Sequence, residues 1–239
     1  MKKNLVYLMT VAVALTATLV ACKKDKGETN NIINEVKKIP KTSGGAIYYY
    51  DDQNRLFKME YDYYGRHVTE TITYNPDGTI ANYANDYNAV KNFTYEYRKD
   101  SIFVTYINYE FRDTLIINDK GQLLREHKYG MSYEYNSAGD ITKIILSTDI
   151  CNVTQSNIWS NWRYVNIPEW FYTVYGNVGL SNPEESKNGK KPLESKWSDG
   201  RLYRKYTYEV DADGYVQKTT MEDGSGNVYE WTTEYDVIE

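Results

Sequence analysis

The chain has 239 residues, a formal charge of −5, 26% charged residues and a mean hydropathy of −0.69, which excludes a protein built mainly from membrane-spanning helices. Its aromatic content is lopsided, with 26 Tyr against 5 Phe and 5 Trp. Tyrosine, valine, isoleucine and threonine favour strands, so the composition excludes a disordered chain and makes an all-β fold the starting expectation. The apolar mass is therefore carried largely by a side chain that wants one polar end satisfied.

In chain order, Lys2 and Lys3 form a basic start, and Leu5 to Leu19 is an uncharged run of 15 residues, short for a membrane span and suited to a signal sequence. The following Leu19-Val20-Ala21-Cys22 resembles the bacterial lipobox. That resemblance implies removal of residues 1–21, diacylation of Cys22 and attachment to a membrane, expected to be the outer membrane; periplasmic and cell-surface sides both stay open. Because Lys2 and Lys3 leave with the signal, the formal charge moves from −5 to −7. An acidic chain lacks the basic footprint of a nucleic-acid binder, so no nucleic-acid partner is expected. With Cys22 lipidated, Cys151 has no disulfide partner and reads as a small buried hydrophobe. Residues 22–45, Lys-rich and closed by Pro40 and Gly44-Gly45, read as a flexible tether.

From residue 46 to 239 a seven-residue unit recurs: an apolar or aromatic residue, Asn or Asp, two variable residues, Gly, one more residue, then Ile, Leu or Val. Four copies are complete, over 74–80 (Asn75, Gly78), 117–123 (Asn118, Gly121), 135–141 (Asn136, Gly139) and 210–216 (Asp211, Gly214). A fifth, 50–56, has Asn54 in place of Gly, and Asn is the non-glycine residue that best tolerates positive φ. A weaker sixth copy covers Tyr61 to Gly65. The Asx side chain should cap backbone N–H groups while Gly takes the left-handed corner, so each copy reverses the chain. The flanks alternate with period two: Phe93, Tyr95 and Tyr97 against Thr94 and Glu96; Tyr206 and Tyr208 against Thr207 and Glu209; Tyr229, Trp231, Thr233 and Tyr235 against Glu230, Thr232 and Glu234.

These features predict one all-β domain, an antiparallel up-and-down meander of about a dozen strands that forms a barrel or a strongly curved sheet. The unit resembles the tyrosine-rich YD repeats of RHS-type proteins, through Tyr133-Glu134-Tyr135-Asn136 and Tyr206-Thr207-Tyr208-Glu209. Tyr175-Gly176, Leu180-Ser181, Lys190-Lys191-Pro192-Leu193 and the 206–218 segment are similar to a family of secreted Bacteroidota lipoproteins described as porin-like in fold. That likeness implies a barrel-like fold on a lipid anchor and no activity.

Few residues suggest chemistry. His67 and His127 have no zinc spacing, and no GxSxG elbow, P-loop or dinucleotide fingerprint occurs; Gly224-Ser225-Gly226 reads as a hairpin turn. Glu209, Asp211, Asp213 and Gly214 fit the start of a calcium loop, but Thr220 stands where the bidentate Glu is required. No catalytic set, metal or cofactor is expected. The turn unit lapses between about 150 and 200, where prolines, the hydrophilic run 182–191 and four of the five Trp occur. The tryptophans here read first as a plug for the barrel end, and Trp159, Trp162, Trp170, Tyr172 and Trp197 form the candidate ligand-binding set as the competing role. The expected function is a non-enzymatic envelope protein that binds a glycan or a protein. A structural partner in the outer membrane, and then a polymer hydrolase, are the alternatives.

Overall fold

The computed structural model describes residues 36–88, 92–108, 111–128, 130–175 and 184–238. Cys22, the signal segment and most of the tether lie outside them. The described chain forms sixteen strands. They are β1 (Lys37–Ser43), β2 (Ala46–Tyr50), β3 (Leu56–Tyr63), β4 (Arg66–Tyr74), β5 (Ile80–Asn85), β6 (Phe93–Tyr97), β7 (Ser101–Tyr106) and β8 (Arg112–Ile117). The second half comprises β9 (Leu123–Glu126), β10 (Met131–Tyr135), β11 (Ile141–Ile145), β12 (Ile150–Trp159), β13 (Lys190–Trp197), β14 (Leu202–Val210), β15 (Val216–Asp223) and β16 (Val228–Ile238). One short helix, α1 (Glu169–Tyr175), interrupts the series between β12 and β13. Each strand pairs with its sequence neighbours and β1 pairs with β16, so the sheet is a closed antiparallel barrel. The expected tether is thus too long by one strand. Lys37 to Ser43 close the ring, and Gly44-Gly45, with φ of +58 and +85°, make the two-residue turn to β2.

The barrel buries its apolar face inward. Leu56, Met59, Ile72, Ile80, Tyr83, Ile102, Leu115, Leu123 and Ile141 are all at most 3% exposed. Outward positions mix charged and polar side chains with exposed apolar ones such as Ile47, Phe57, Leu124 and Leu193. Lys58, Glu60 and Asp62 of β3 lie opposite Thr71, Thr69 and His67 of β4, and Glu134 faces Lys143 at 2.8 Å. Lys218 bridges Glu230 at 3.0 Å and Glu209 at 3.8 Å. A lipid-facing barrel needs an apolar outer band, and each Lys or Arg at the bilayer midplane costs about 2–4 kcal/mol. Ion pairs on β10, β11, β14, β15 and β16 interrupt such a band, and the interior is packed.

Consecutive antiparallel strands put alternate turns at opposite ends. All five main copies of the repeated unit fall at one end, where they join β2/β3, β4/β5, β8/β9, β10/β11 and β14/β15. Asn118 Oδ1 accepts the N–H groups of Lys120 and Gln122, and Asp211 Oδ1 accepts those of Asp213 and Tyr215, each near 3 Å. The glycine positions, and Asn54 at +57°, have positive φ as expected. The weak sixth copy is different. Tyr64-Gly65 is a two-residue turn at the opposite end.

The first and seventh residues of each unit pair across a β-bulge, as in Tyr74 with Ile80 and Tyr135 with Ile141. In all five copies a side chain of the following strand then donates to the seventh residue's carbonyl. Tyr74 reaches Leu56 O (2.6 Å), Tyr97 reaches Ile80 O (3.0 Å) and Tyr135 reaches Leu123 O (2.8 Å). Gln155 Nε2 reaches Ile141 O and Tyr235 reaches Val216 O, both at 2.6 Å. Tyr50 and Tyr208 make the same bond to Pro40 O and Pro192 O. Six of the 26 tyrosines thus place their hydroxyls on main-chain carbonyls of a neighbouring strand. Tyr135→Phe should cost about 1 kcal/mol, which lowers Tm by about 2–4 °C in a thermal melt.

Candidate functional site

Among the described residues the irregular segment is narrower than expected, residues 160–175 and 184–189, since 150–159 and 190–197 are strands. It enters the barrel at the end that carries the repeated turns. Asn166 N–H donates to Asn54 O at 2.8 Å and Lys190 N–H to Asp140 Oδ1 at 2.6 Å, tying both flanks of the segment to turn units. Pro168 precedes α1 and accepts the N–H groups of Phe171 and Tyr172, and residues 169–173 are all buried. A helix buried all round belongs to a core. Trp162 packs edge-on against Tyr48 at 5.0 Å, Trp170 against Tyr95 at 5.3 Å, and Phe171 against Tyr83 at 5.9 Å. This is a plug.

The hydrophilic residues that follow are buried with it. Glu169 Oε1 accepts Ser186 Oγ (2.5 Å) and Lys187 N (2.8 Å), while Oε2 accepts Asn188 Nδ2 (2.7 Å). Glu184, fully buried, accepts the hydroxyls of Ser195 and Tyr206 and lies 3.8 Å from Arg204. Glu185 pairs with Lys191 at 3.1 Å. Burial pushes the Lys187 ammonium below its ordinary range, partly offset by Glu169. Sequence reasoning missed these acids. The partners of Glu184 lie outside the run, and a run rich in charge reads locally as a solvated loop.

Of the candidate ligand-binding set, Trp162, Trp170 and Tyr172 are at most 5% exposed and belong to the core, which removes them from ligand contact. Trp159 is 46% exposed at the plug end, with Lys190 Nζ 3.3 Å from its ring centroid. Trp197 lines a recess. At the end away from the plug, a cleft of about 490 Å³ lies between the β13/β14 and β15/β16 turns, lined by Trp197, Arg201, Leu202, Tyr203, Asp223, Gly224 and Ser225. That volume lies within the range of small-molecule sites.

The cleft is built from hairpin chemistry. Gly200, at φ +85°, donates to Trp197 O, and Arg201 Nε binds Asp199 at 2.5 Å. Ser198 Oγ pins the same tip to Asp149 at 2.6 Å. Trp197 and Tyr203 present tilted rings 4.6 Å apart, with the Arg204 guanidinium 4.6 Å from the Tyr203 centroid. Gly224 N–H donates to Tyr203 O at 2.9 Å, and a Cβ at 224 would stand 2.3 Å from Leu202 O, so glycine is required for the two tips to meet. Hydrogen bonds from Asn227, first its side chain and then its backbone, hold the Asp223 carboxyl below the usual carboxylate range. The recess thus combines two aromatic faces, a guanidinium and an ionised carboxylate on a fixed frame.

The remaining candidates have structural partners. Asp211 and Asp213 hold the Lys38 ammonium at 2.7 and 2.6 Å, which fills the place a cation would take in the calcium-loop frame. His67 lies 3.4 Å from Asp62 on the outer wall. Cys151 is buried, and burial pushes its thiol up to about 11, so it is not an activated nucleophile.

No protein-family profile matches the chain, and no curated protein matches it. Among solved structures it is similar to a porin-like protein from Bacteroides uniformis, at 15% identity and a TM-score of 0.40, covering 85% of this chain and 98% of that one. It is also similar to a porin-like protein from Bacteroides vulgatus, at 13% identity and a TM-score of 0.35, covering 75% and 97% respectively. At this level of similarity neither neighbour speaks to what this chain does.

Proposed function

We propose that this chain is an exported envelope protein, lipid-anchored through Cys22, whose barrel carries a non-enzymatic saccharide-binding site in the cleft between the β13/β14 and β15/β16 turns. The ion pairs on the outer wall support attachment by a lipid chain over insertion of the barrel itself. The observation that carries the binding role is the pairing of the Trp197 and Tyr203 rings with Arg201 and Asp223 in one recess. Sugar rings stack on aromatic faces, and their hydroxyls need both donors and acceptors nearby.

A glycan array probed with the full-length chain in detergent should retain at least one saccharide class. Trp197→Ala should weaken that retention about tenfold or more, the equivalent of about 1.4 kcal/mol. Arg201→Ala, at an exposed tip residue, should weaken it without altering the melting curve, whereas Trp159→Ala should leave it unchanged. Retention unaffected by both Trp197→Ala and Arg201→Ala would sink the assignment.

A further inference from the structure

The same end of the barrel carries a second aromatic feature in the turn between β3 and β4. Tyr64 and Gly65 form a two-residue hairpin loop, with φ of +48 and +73° and Tyr63 paired to Arg66. The first position of such a turn is ordinarily Asn, Asp or Gly, because a left-handed backbone strains a bulky side chain. Here it holds a tyrosine 88% exposed, the most exposed of the large hydrophobic side chains described. Its ring meets Tyr63 edge-on at 4.6 Å, Tyr63 meets Tyr87 of the β5/β6 connection at 5.6 Å, and the Arg66 guanidinium lies 4.9 Å from the Tyr87 centroid. Tyr63 and Tyr87 are 46% and 40% exposed. A strained backbone therefore holds a ring in water beside two others. Strain of this kind points from an observed outlier toward function.

The size and chemistry of the patch identify its occupant. At about 200 Å² per ring, the exposed parts of the three tyrosines amount to roughly 350 Å², less than half of the about 800 Å² per partner that a stable protein interface buries. One or two sugar rings fit that area. The polar margin is mixed in sign, with Arg66 on one side and the Asp62–His67 pair on the outer wall, so it selects no strongly charged ligand.

We propose that Tyr63, Tyr64 and Tyr87, with Arg66, form a second binding platform that stacks a pyranose ring of a neutral polysaccharide. Its link to the first site rests on the saccharide reading of the cleft. From β13 to β3 around the ring is six interstrand spacings, roughly 29 Å measured along the wall. One polymer chain that touches both sites binds the second at a high effective concentration, so polymers gain over short oligomers.

The test is affinity electrophoresis of the full-length chain in gels containing xylan, glucomannan, mixed-linkage β-glucan or pullulan, with Tyr64→Asn as the variant. Asparagine suits the left-handed turn position, so Tyr64→Asn should raise Tm by about 1–3 °C while it weakens polymer retardation about three- to tenfold. A gain in stability with a loss of binding is not what a structural clasp predicts. If Tyr64→Asn lowers Tm and leaves retardation unchanged, the ring is only a turn clasp and the platform is overturned. Retardation lost in Trp197→Ala but unchanged in Tyr64→Asn overturns the platform and keeps the cleft. The reverse pattern upholds the platform and removes the cleft, and no retardation by any of the four polymers overturns both.

Discussion

Phe171→Ala should destabilise the protein by about 4 kcal/mol, the largest effect expected from a single side chain in the plug. Phe171 is fully buried and packs against Tyr83, Tyr95 and Trp170 with centroid separations of 5.9, 6.5 and 5.6 Å. Truncation would leave a cavity walled by rings from β5, β6 and α1, three elements whose backbones are fixed by the barrel, so collapse around the gap is limited. Urea denaturation followed by tryptophan fluorescence measures the loss directly. A loss below about 1 kcal/mol would mean that the lumen repacks and that the plug is not part of the cooperative core.

The second large effect is a pH dependence set by Glu126. This carboxyl is 5% exposed at the end of β9, and its pKa is pushed up to about 7, first by burial and then by the Asp113 carboxylate, with Lys128 easing the shift. The folded state keeps a proton that the unfolded chain releases from its ordinary 4.5 upward. Its favourable contribution is therefore fully present below pH 4.5 and is lost as pH rises through 7. Over that window the loss is about 3 kcal/mol. Glu126→Gln keeps the shape without the ionisation, so it should match the wild type near pH 4.5 and exceed its stability at pH 8 by an amount approaching that figure. Denaturation midpoints at pH 4.5, 6 and 8 decide it. A wild-type-to-variant difference that is flat with pH would show that Glu126 does not bury its proton.

The turn chemistry was readable in the sequence because it is local: an Asx oxygen, two or three nearby N–H groups and one left-handed residue all lie within seven positions. Asn54 shows why position outweighs identity, since its φ of +57° is what the missing glycine would have supplied. The strand count was less readable. β9 has four residues and β10 and β11 have five, too few for a sustained alternation, so about a dozen became sixteen. The plug was legible as an irregular, tryptophan-rich stretch suited to closing the barrel end, while the buried acids that follow it were not. Glu184 and Glu185 look solvated in the run 182–191 until Ser195, Tyr206 and Lys191 are brought to them by the register of β13 and β14. The cleft is also a register effect. Trp197 and Asp223 sit on hairpins whose meeting depends on Gly224, which in sequence shows only a turn.

The pairing of Lys37 with Ile238 has a consequence for how the molecule is made. Closure joins the first described strand to the last, so its loop entropy can be recovered only after the whole sheet is in place. Until β16 is in place, β1 and β15 each keep one unpaired edge able to recruit foreign strands. A chain that lacks β16 thus has two open edges, and the eleven residues of β16 act as the latch that ends this exposure. The meander is local in its hairpins but global in the step that closes the ring.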